Sequence, residues 1–381
     1  MERTTKIAVV GAGLGGMTAA GLLQRYGFEV AVFEQASAFS RIGAGIHLSA
    51  NVMMVMRRLG IERVLYDIGL HPDAFVSRKW DTGEILFELP LDADSEAHFG
   101  APYINVHRAD LHRVLESTLE PGSLHFGKKL HRLDTSGPSL ALHFEDGTMA
   151  EADIVIGADG VHSKLREYVP GLTKPFYTGQ IAHRAIFPTE LLNGLPIRAC
   201  TKWWGPENHI LVYYMTQVRE EVYFVSSAPQ AGWNETESFV PCDRDEFLSA
   251  FDGYHRELRQ VIEAAPEVTK WPVYARGFAS CWHAGRIVLL GDACHAMTPY
   301  MAAGAAMAIE DAAVLARSIA EVSTAEAEES FLWYEANRVP RVRKVHEISS
   351  RNVWFRSPVD PDWFFRYDAC AVALDPPASA A

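Results

Sequence analysis

The sequence predicts an α/β protein: a Rossmann-like dinucleotide-binding domain that is discontinuous along the chain, an antiparallel β-sheet domain set into it, and helices at the C-terminal end. Three features point that way. The chain opens with a strand, a glycine-rich turn and a helix. Two later apolar strands each end in a turn holding glycine and aspartate. The stretch between those two strands changes to short β-rich runs separated by turn residues.

Taken in order, Ile7-Ala8-Val9-Val10 is a short apolar run of the kind a buried strand requires. Gly11-Ala12-Gly13-Leu14-Gly15-Gly16 follows, then an alanine-rich helix from Met17 to Tyr26 that Gly27 terminates. A strand from Glu29 to Phe33 completes a βαβ unit. The apolar strands Asp153 to Ile156 and Arg286 to Leu290 are expected beside the first strand in one parallel sheet. Between them, Ala182 to Phe187, Cys200 to Trp204, His209 to Met215 and Glu221 to Ser226 read as hairpins, with Gly205-Pro206-Glu207-Asn208 as one of the turns. Asp245 to Ala265 reads as helical, a long helix covers Gly304 to Ile319, and another runs from about Thr324 to Ser349. The expected division is a dinucleotide-binding domain of residues 1–175 and 270–320, a β-sheet substrate domain of 176–269, and a C-terminal helical segment and tail of 321–381.

Composition narrows the function classes. The 381 residues are 48% hydrophobic, enough for a sizeable core. A net charge of −13 argues against a nucleic-acid partner; the locally basic Arg338 to Lys344 reads as one face of a solvated helix. No apolar run is long enough to span a membrane, and the start of the chain lacks the pattern of a signal peptide. The five cysteines are scattered without a CxxC pair, so neither a metal site nor a disulfide framework is expected. The expectation is a cytoplasmic monomer or homodimer.

Gly11, Gly13 and Gly16 satisfy G-x-G-x-x-G after a strand and at the start of a helix. Glycines there let backbone N–H groups approach a pyrophosphate, and the helix dipole favours that anion. Glu34 lies 18 residues beyond Gly16, where a carboxylate can accept hydrogen bonds from ribose hydroxyls and repel a 2′-phosphate. These residues alone are compatible with either FAD or NAD.

Three further segments select between them. Gly291-Asp292-Ala293-Cys294-His295 precedes Pro299 and Gly304 to Glu310-Asp311; Gly157-Ala158-Asp159-Gly160 precedes Ser163 and Arg166; and His107-Arg108-Ala109-Asp110-Leu111 lies between the first two strands and these. Together with the glycine loop, these motifs resemble the group A flavoprotein aromatic hydroxylases over residues 7–311. The resemblance implies bound FAD, NADH or NADPH as a transient co-substrate, and O2. It implies FAD contacts from Gly11, Gly13, Leu14, Gly15, Gly16, Glu34, Gln35, Arg41, Gly45, His47, Arg108, Leu130, Asp292, Pro299, Gly304 and Ala305. Asp292 would bond the ribityl chain, Arg108 the diphosphate region, and the helix from Gly304 would point its positive end at the N1 edge of the flavin. In that family a flavin C4a-hydroperoxide delivers one oxygen atom to an aromatic ring.

Other segments resemble the branch of this family that hydroxylates a hydroxypyridine carboxylate such as 6-hydroxynicotinate, with loss of the carboxyl group. They are Arg41-Ile42-Gly43-Ala44-Gly45-Ile46-His47, Lys202-Trp203-Trp204, His209 to Tyr214, and Asp360-Pro361-Asp362-Trp363 with Tyr367-Asp368. Strand alternation puts His209, Leu211 and Tyr213 on one face, with the His209 and Tyr213 Cα atoms roughly 13 Å apart. The resemblance makes Tyr213, His209 and His47 the expected catalytic residues, Tyr213 receiving or relaying the proton of a ring hydroxyl. It places Cys200, Tyr300 and Met301 at the substrate. The chain departs from that branch beside the flavin: Tyr300 stands for a histidine, Ala303 for a glutamine, Thr298 for a lysine and Ala296 for a proline. A salicylate-type phenolic acid hydroxylase is the alternative, and a non-oxygenating flavin-binding protein a third reading.

Overall fold

In the computed structural model, residues 5–39, 45–171, 173–322 and 327–377 are described. One sheet has six strands in the order His283–Ala284, Ile287–Leu289, Ile154–Gly157, Lys6–Val10, Glu29–Phe33 and Leu124–His125. The last five run parallel, and the short edge strand His283–Ala284 is antiparallel to its neighbour. The three apolar strands therefore stand side by side. Val9, Val155 and Val288 are fully buried; cover on both faces is why these strands are continuously apolar rather than alternating. The glycine loop leads into helix Leu14–Arg25, which packs against helix Gly304–Glu321.

The second sheet has eight strands in the order Val240–Pro241, Thr269–Ala275, Phe176–Pro188, Glu221–Pro229, His209–Tyr214, Cys200–Trp204, Ala74–Lys79 and Ile85–Pro90. Its last hairpin comes from far upstream and joins through a parallel pairing of Ala74–Lys79 with Cys200–Trp204. The sheet is thus not confined to residues 176–269, since such non-local pairing leaves no local signal in the sequence. One face, carrying Ile210, Val212 and Tyr214, packs against two short helices, Arg244–Ser249 and Arg256–Ala264. The expected single helical stretch is broken between them, where Gly253 takes a φ of 76°. The opposite face carries His209, Leu211 and Tyr213 toward the first sheet.

Helix Ala327–Arg351 closes the fold over Gly304–Glu321. Arg338 lies at its centre and is fully buried, not solvated as expected. Its Nη1 donates to Glu310 Oε2 at 2.7 Å and its Nε to Asp311 Oδ1 at 2.7 Å. Arg341 Nε and Asn51 Nδ2 also donate to Glu310, at 2.7 and 2.6 Å. Asp311 Oδ2 lies 2.5 Å from His295 Nε2 and accepts the Gly291 N–H at 3.1 Å. The paired cations hold both carboxyls below their ordinary range despite burial, which acts the other way. Among the described residues, no helix is long and apolar enough to cross a membrane.

Arg338→Met removes the charge that Glu310 and Asp311 share while keeping much of the volume. It is expected to lower the unfolding free energy of the FAD-loaded protein by about 3–5 kcal/mol, because two carboxylates stay buried without it. Equilibrium urea unfolding would show this, and an unchanged midpoint would refute it.

Candidate active site

A cavity of about 450 Å³ lies between the two sheets, within the usual range for small-molecule sites. The glycine loop forms one end. Gly11 has a φ of 102°, and a Cβ there would strike the carbonyl oxygen of Ala158; a Cβ at Gly16 would strike that of Gly11. Those two glycines are demanded by the protein's own packing. Gly13 differs, for a Cβ there would meet nothing nearer than the Ala158 oxygen at 4.0 Å, and the residue faces the cavity. Its missing side chain leaves room for a ligand.

Helix Leu14–Arg25 starts at the cavity with no side-chain cap and no acid in its first turn, and so does helix Gly304–Glu321. Two positive helix ends with unsatisfied N–H groups therefore face one cavity. This suits a ligand with a diphosphate at one point and an electron-rich ring edge at another. Arg108 lines the wall between them, its side chain open to the cavity; the protein packed around it pulls its pKa down while Asp292 pulls it up. Asp292 lies on the wall at the start of the Asp292–His295 turn.

Glu34 braces the loop: its Oε2 accepts the Ala12 N–H and its Oε1 the Ala36 N–H, each at 2.8 Å. A carboxylate has further lone pairs free for hydroxyl donors. Gln35 is exposed beside it. Leu130 begins a neighbouring strand, brought close because the Lys128 N–H bonds to the Glu34 carbonyl at 2.7 Å. Gly11, Glu34, Gln35 and Leu130 sit beyond the enclosed part of the cavity, and Arg41 lies outside the described residues. Asp159 supports its turn, its carboxylate accepting the Lys164 N–H at 2.7 Å.

At the other end, His209 and Tyr213 both reach the cavity, as do His47, Tyr300 and Met301. Cys200 does not. It stands opposite Tyr213 in the ladder and is fully buried away from the wall, and burial raises the pKa of its thiol. Gly45 is required next to Tyr213, since a Cβ would come within 2.7 Å of the phenol oxygen. The His47 and Tyr213 ring centroids are 4.2 Å apart.

Hydrogen bonds settle which form these groups take. Asn105 Nδ2 donates to the Tyr214 carbonyl at 3.2 Å, which turns its Oδ1 to His47 Nδ1 at 2.7 Å. His47 therefore carries its proton on Nδ1, and its Nε2 is a buried acceptor without a partner. Burial lowers the His47 pKa to about 4, so the ring is neutral near pH 7. Burial, with Tyr223 and Cys200 beside it, holds Tyr213 well above its ordinary value, as a phenol. Burial, aided by the Lys202 charge, depresses His209. Asn352 Nδ2 lies 3.2 Å from His209 Nδ1; with the amide as donor, the His209 proton stays on Nε2. Tyr300 meets His209 edge-on at 5.4 Å and its hydroxyl is 3.2 Å from Ser227 Oγ.

The sequence reasoning missed several wall residues. Lys202 and Arg184 line the cavity, and Phe355, Phe364 and Phe365 close it from the C-terminal segment. Lys202 was visible as a lysine within an apolar strand. The aromatic closure had no signal beyond aromatic density near the end of the chain.

The family profile described as FAD binding domain matches residues 4–349. A protein from Bordetella bronchiseptica named 6-hydroxynicotinate 3-monooxygenase is 48% identical, covering 98% of each chain. A 3-amino-4-hydroxybenzoate 2-monooxygenase from Streptomyces cremeus is 36% identical over 99% of this chain and 94% of its own. Among solved structures, Klebsiella pneumoniae HpxO complexed with FAD and uric acid superposes with a TM-score of 0.80 at 26% identity, covering 95% of this chain and 92% of that one. The cofactor is FAD, and the cradle fits it. Gly13→Ala is accordingly expected to leave the melting temperature of the FAD-free protein unchanged while weakening FAD binding about tenfold or more, roughly 1.4 kcal/mol. Flavin fluorescence titration measures this, and equal loss of stability and affinity would contradict it. The chain belongs to the FAD-binding family, as a flavin-dependent aromatic-ring monooxygenase.

Proposed function

We propose that the protein hydroxylates 6-hydroxynicotinate or a closely related hydroxypyridine acid, with loss of the carboxyl group as CO2. The observation that carries this reading is the partnerless Nε2 of His47 beside the Tyr213 phenol, at the cavity end away from the glycine loop. The high identity to the Bordetella bronchiseptica relative supports the choice of acid. FAD, once reduced by NADH or NADPH, supplies the activated oxygen from O2.

The chain's own residues prepare the ring. A hydroxyl placed at His47 gives its proton to Nε2, whose opposite nitrogen is held protonated by Asn105. Loss of that proton raises electron density at the ring carbons, which favours attack on an electrophilic oxygen. Tyr213 stays protonated, so it donates a hydrogen bond to the same oxygen and relays a proton rather than acting as the base. His209, with its proton on the cavity-side nitrogen, donates to a substituent at the far end of the ring. The aromatic side chains of the C-terminal segment keep water out, which strengthens these polar contacts. Tyr300, standing where the hydroxypyridine branch carries a histidine, favours a salicylate-type phenolic acid as the second reading.

The direct test is NADH oxidation by the yellow protein with a panel of hydroxylated pyridine and benzene acids, with product masses. A product lighter by CO2 and heavier by oxygen is expected from 6-hydroxynicotinate; NADH loss yielding only hydrogen peroxide would remove that acid. His47→Gln is expected to lower turnover roughly 10²–10⁴-fold with FAD retained, the usual worth of a general base. Tyr213→Phe should likewise lower turnover far more than FAD binding. Because burial lowers the His47 pKa to about 4, the basic form persists down to that value. Turnover at saturating substrate is expected to fall on the acid side only as the pH approaches 4, in a profile that His47→Gln removes.

A further inference from the structure

The geometry points to Lys202 as the cation that receives the substrate's carboxylate, and so as the residue selecting acids over uncharged hydroxyarenes. This rests on the proposed substrate class and extends it to a residue with no role in the hydroxyl chemistry above.

Lys202 stands opposite Leu211 in the ladder, between Cys200 and Trp204 on the cavity-facing side of the sheet. Only 4% of it is exposed. Its Nζ donates to the Tyr300 carbonyl at 3.0 Å and lies 3.8 Å from the centroid of the Trp204 ring. No carboxylate pairs with it among the described residues. An ammonium has three donors, so two remain for a ligand. The only carboxylate on the cavity wall among the described residues is Asp292, which acts on Arg108 and Arg276 rather than on Lys202. A buried cation without an anion is costly, and an arriving carboxylate would relieve that cost with charge-assisted hydrogen bonds.

Orientation follows from the two ends. His47 and Tyr213 take the ring hydroxyl, while His209, Lys202 and Tyr300 cluster at the far end of the strand face. A hydroxyl and a carboxylate on opposite sides of one ring match this spacing. Arg184 is the other cation on this part of the wall, but it acts on Arg108, Tyr213 and Tyr223 and so sits toward the hydroxyl and flavin end. Lys202 thus supplies, from the strand beside Tyr300, the positive charge that Thr298 and Tyr300 do not.

Burial lowers the Lys202 pKa to about 7. A bound carboxylate favours the ammonium, so acid binding is strongest below that value and weakens as pH rises through it. The titratable and charged groups facing the ammonium are His209 on the adjacent strand, Tyr300 on the turn, Arg356 beyond the Trp204 ring and Arg184 across the wall. His209 is held well below its ordinary value and Tyr300 above its own, so each keeps one form through the window.

The test uses the FAD-loaded enzyme and the change in flavin absorbance on ligand binding. Dissociation constants are measured across neutral to alkaline pH for 6-hydroxynicotinate and for 2-hydroxypyridine, the same ring without the carboxyl group. Lys202→Met should weaken the acid by at least about 30-fold, the lower end for removing one partner of a buried charge pair. It should leave 2-hydroxypyridine within about twofold and abolish the alkaline loss of acid affinity; such selective loss cannot come from general misfolding. Lys202→Arg should bind the acid without the alkaline loss, because a guanidinium stays charged. Equal weakening of both ligands by Lys202→Met, or an unchanged pH dependence in it, would overturn the assignment. If wild type ignores 6-hydroxynicotinate but binds salicylate, the proposed substrate fails while the assignment is tested in the same way with salicylate and phenol. Binding of the uncharged rings with no acid bound at all overturns the assignment.

Discussion

The ion cluster of Arg338, Glu310 and Asp311 is the constraint on which the active site depends. Three fully buried charges are costly to desolvate, and they persist because each is matched by a partner and by neutral donors. The cluster joins segments that are distant in sequence: the helix carrying Asn51, the Gly291 turn, the helix from Gly304 and the C-terminal helix. Asp311 accepts the Gly291 N–H, and Gly291 immediately precedes Asp292. The position of a cavity-facing carboxylate is thus set one residue away by a group that does not line the cavity. The same helix presents its uncapped start to the cavity, so one anchored element serves both features.

The cavity is polarised along its length. At the glycine loop it offers backbone donors, two helix ends and Arg108. At the sheet it offers a fixed acceptor on His47, a phenol and a neutral imidazole. The His47 form is fixed, because Asn105 is itself oriented by the Tyr214 carbonyl, and Asn352 meets the inner nitrogen of His209. Orienting the inner nitrogen is an economical way to fix what the outer one presents, since a neutral imidazole must accept at one nitrogen if it donates at the other. The result is a site with its donors and acceptors set before any ligand arrives.

Much of this fold was legible. The three apolar strands, the glycine loop and the long helix after Gly304 all carry local patterns, and the strands stand adjacent as those patterns led one to expect. The alternation of His209, Leu211 and Tyr213 was equally readable, and the structure puts that face on the cavity. What escaped depends on distant partners. The Ala74–Lys79 strand gives no hint that it pairs beside Cys200–Trp204. Arg338 looked solvated because its neighbours are basic, while its partners lie 27 and 28 residues upstream. Cys200 was expected at the substrate, yet it stands behind Tyr213, since a ladder partner on the same face need not reach the same cavity. The His47 form could not be read because Asn105 lies 58 residues away.

The aromatic closure has a different consequence. Phe355, Phe364 and Phe365 form cavity wall, yet they fall after residue 349, where the FAD-binding profile ends. Phe355 adopts a left-handed backbone with a φ of 63°, and its carbonyl accepts the Ser77 hydroxyl, so this stretch is held in one shape. Arg341 fastens it by donating to the carbonyls of Trp363 and Phe364 while also gripping Glu310. One part of the cavity wall is therefore carried by a short stretch of chain separate from the glycine loop. The shape of that wall can change there without displacing the glycine loop, provided that the Arg341 clasp survives.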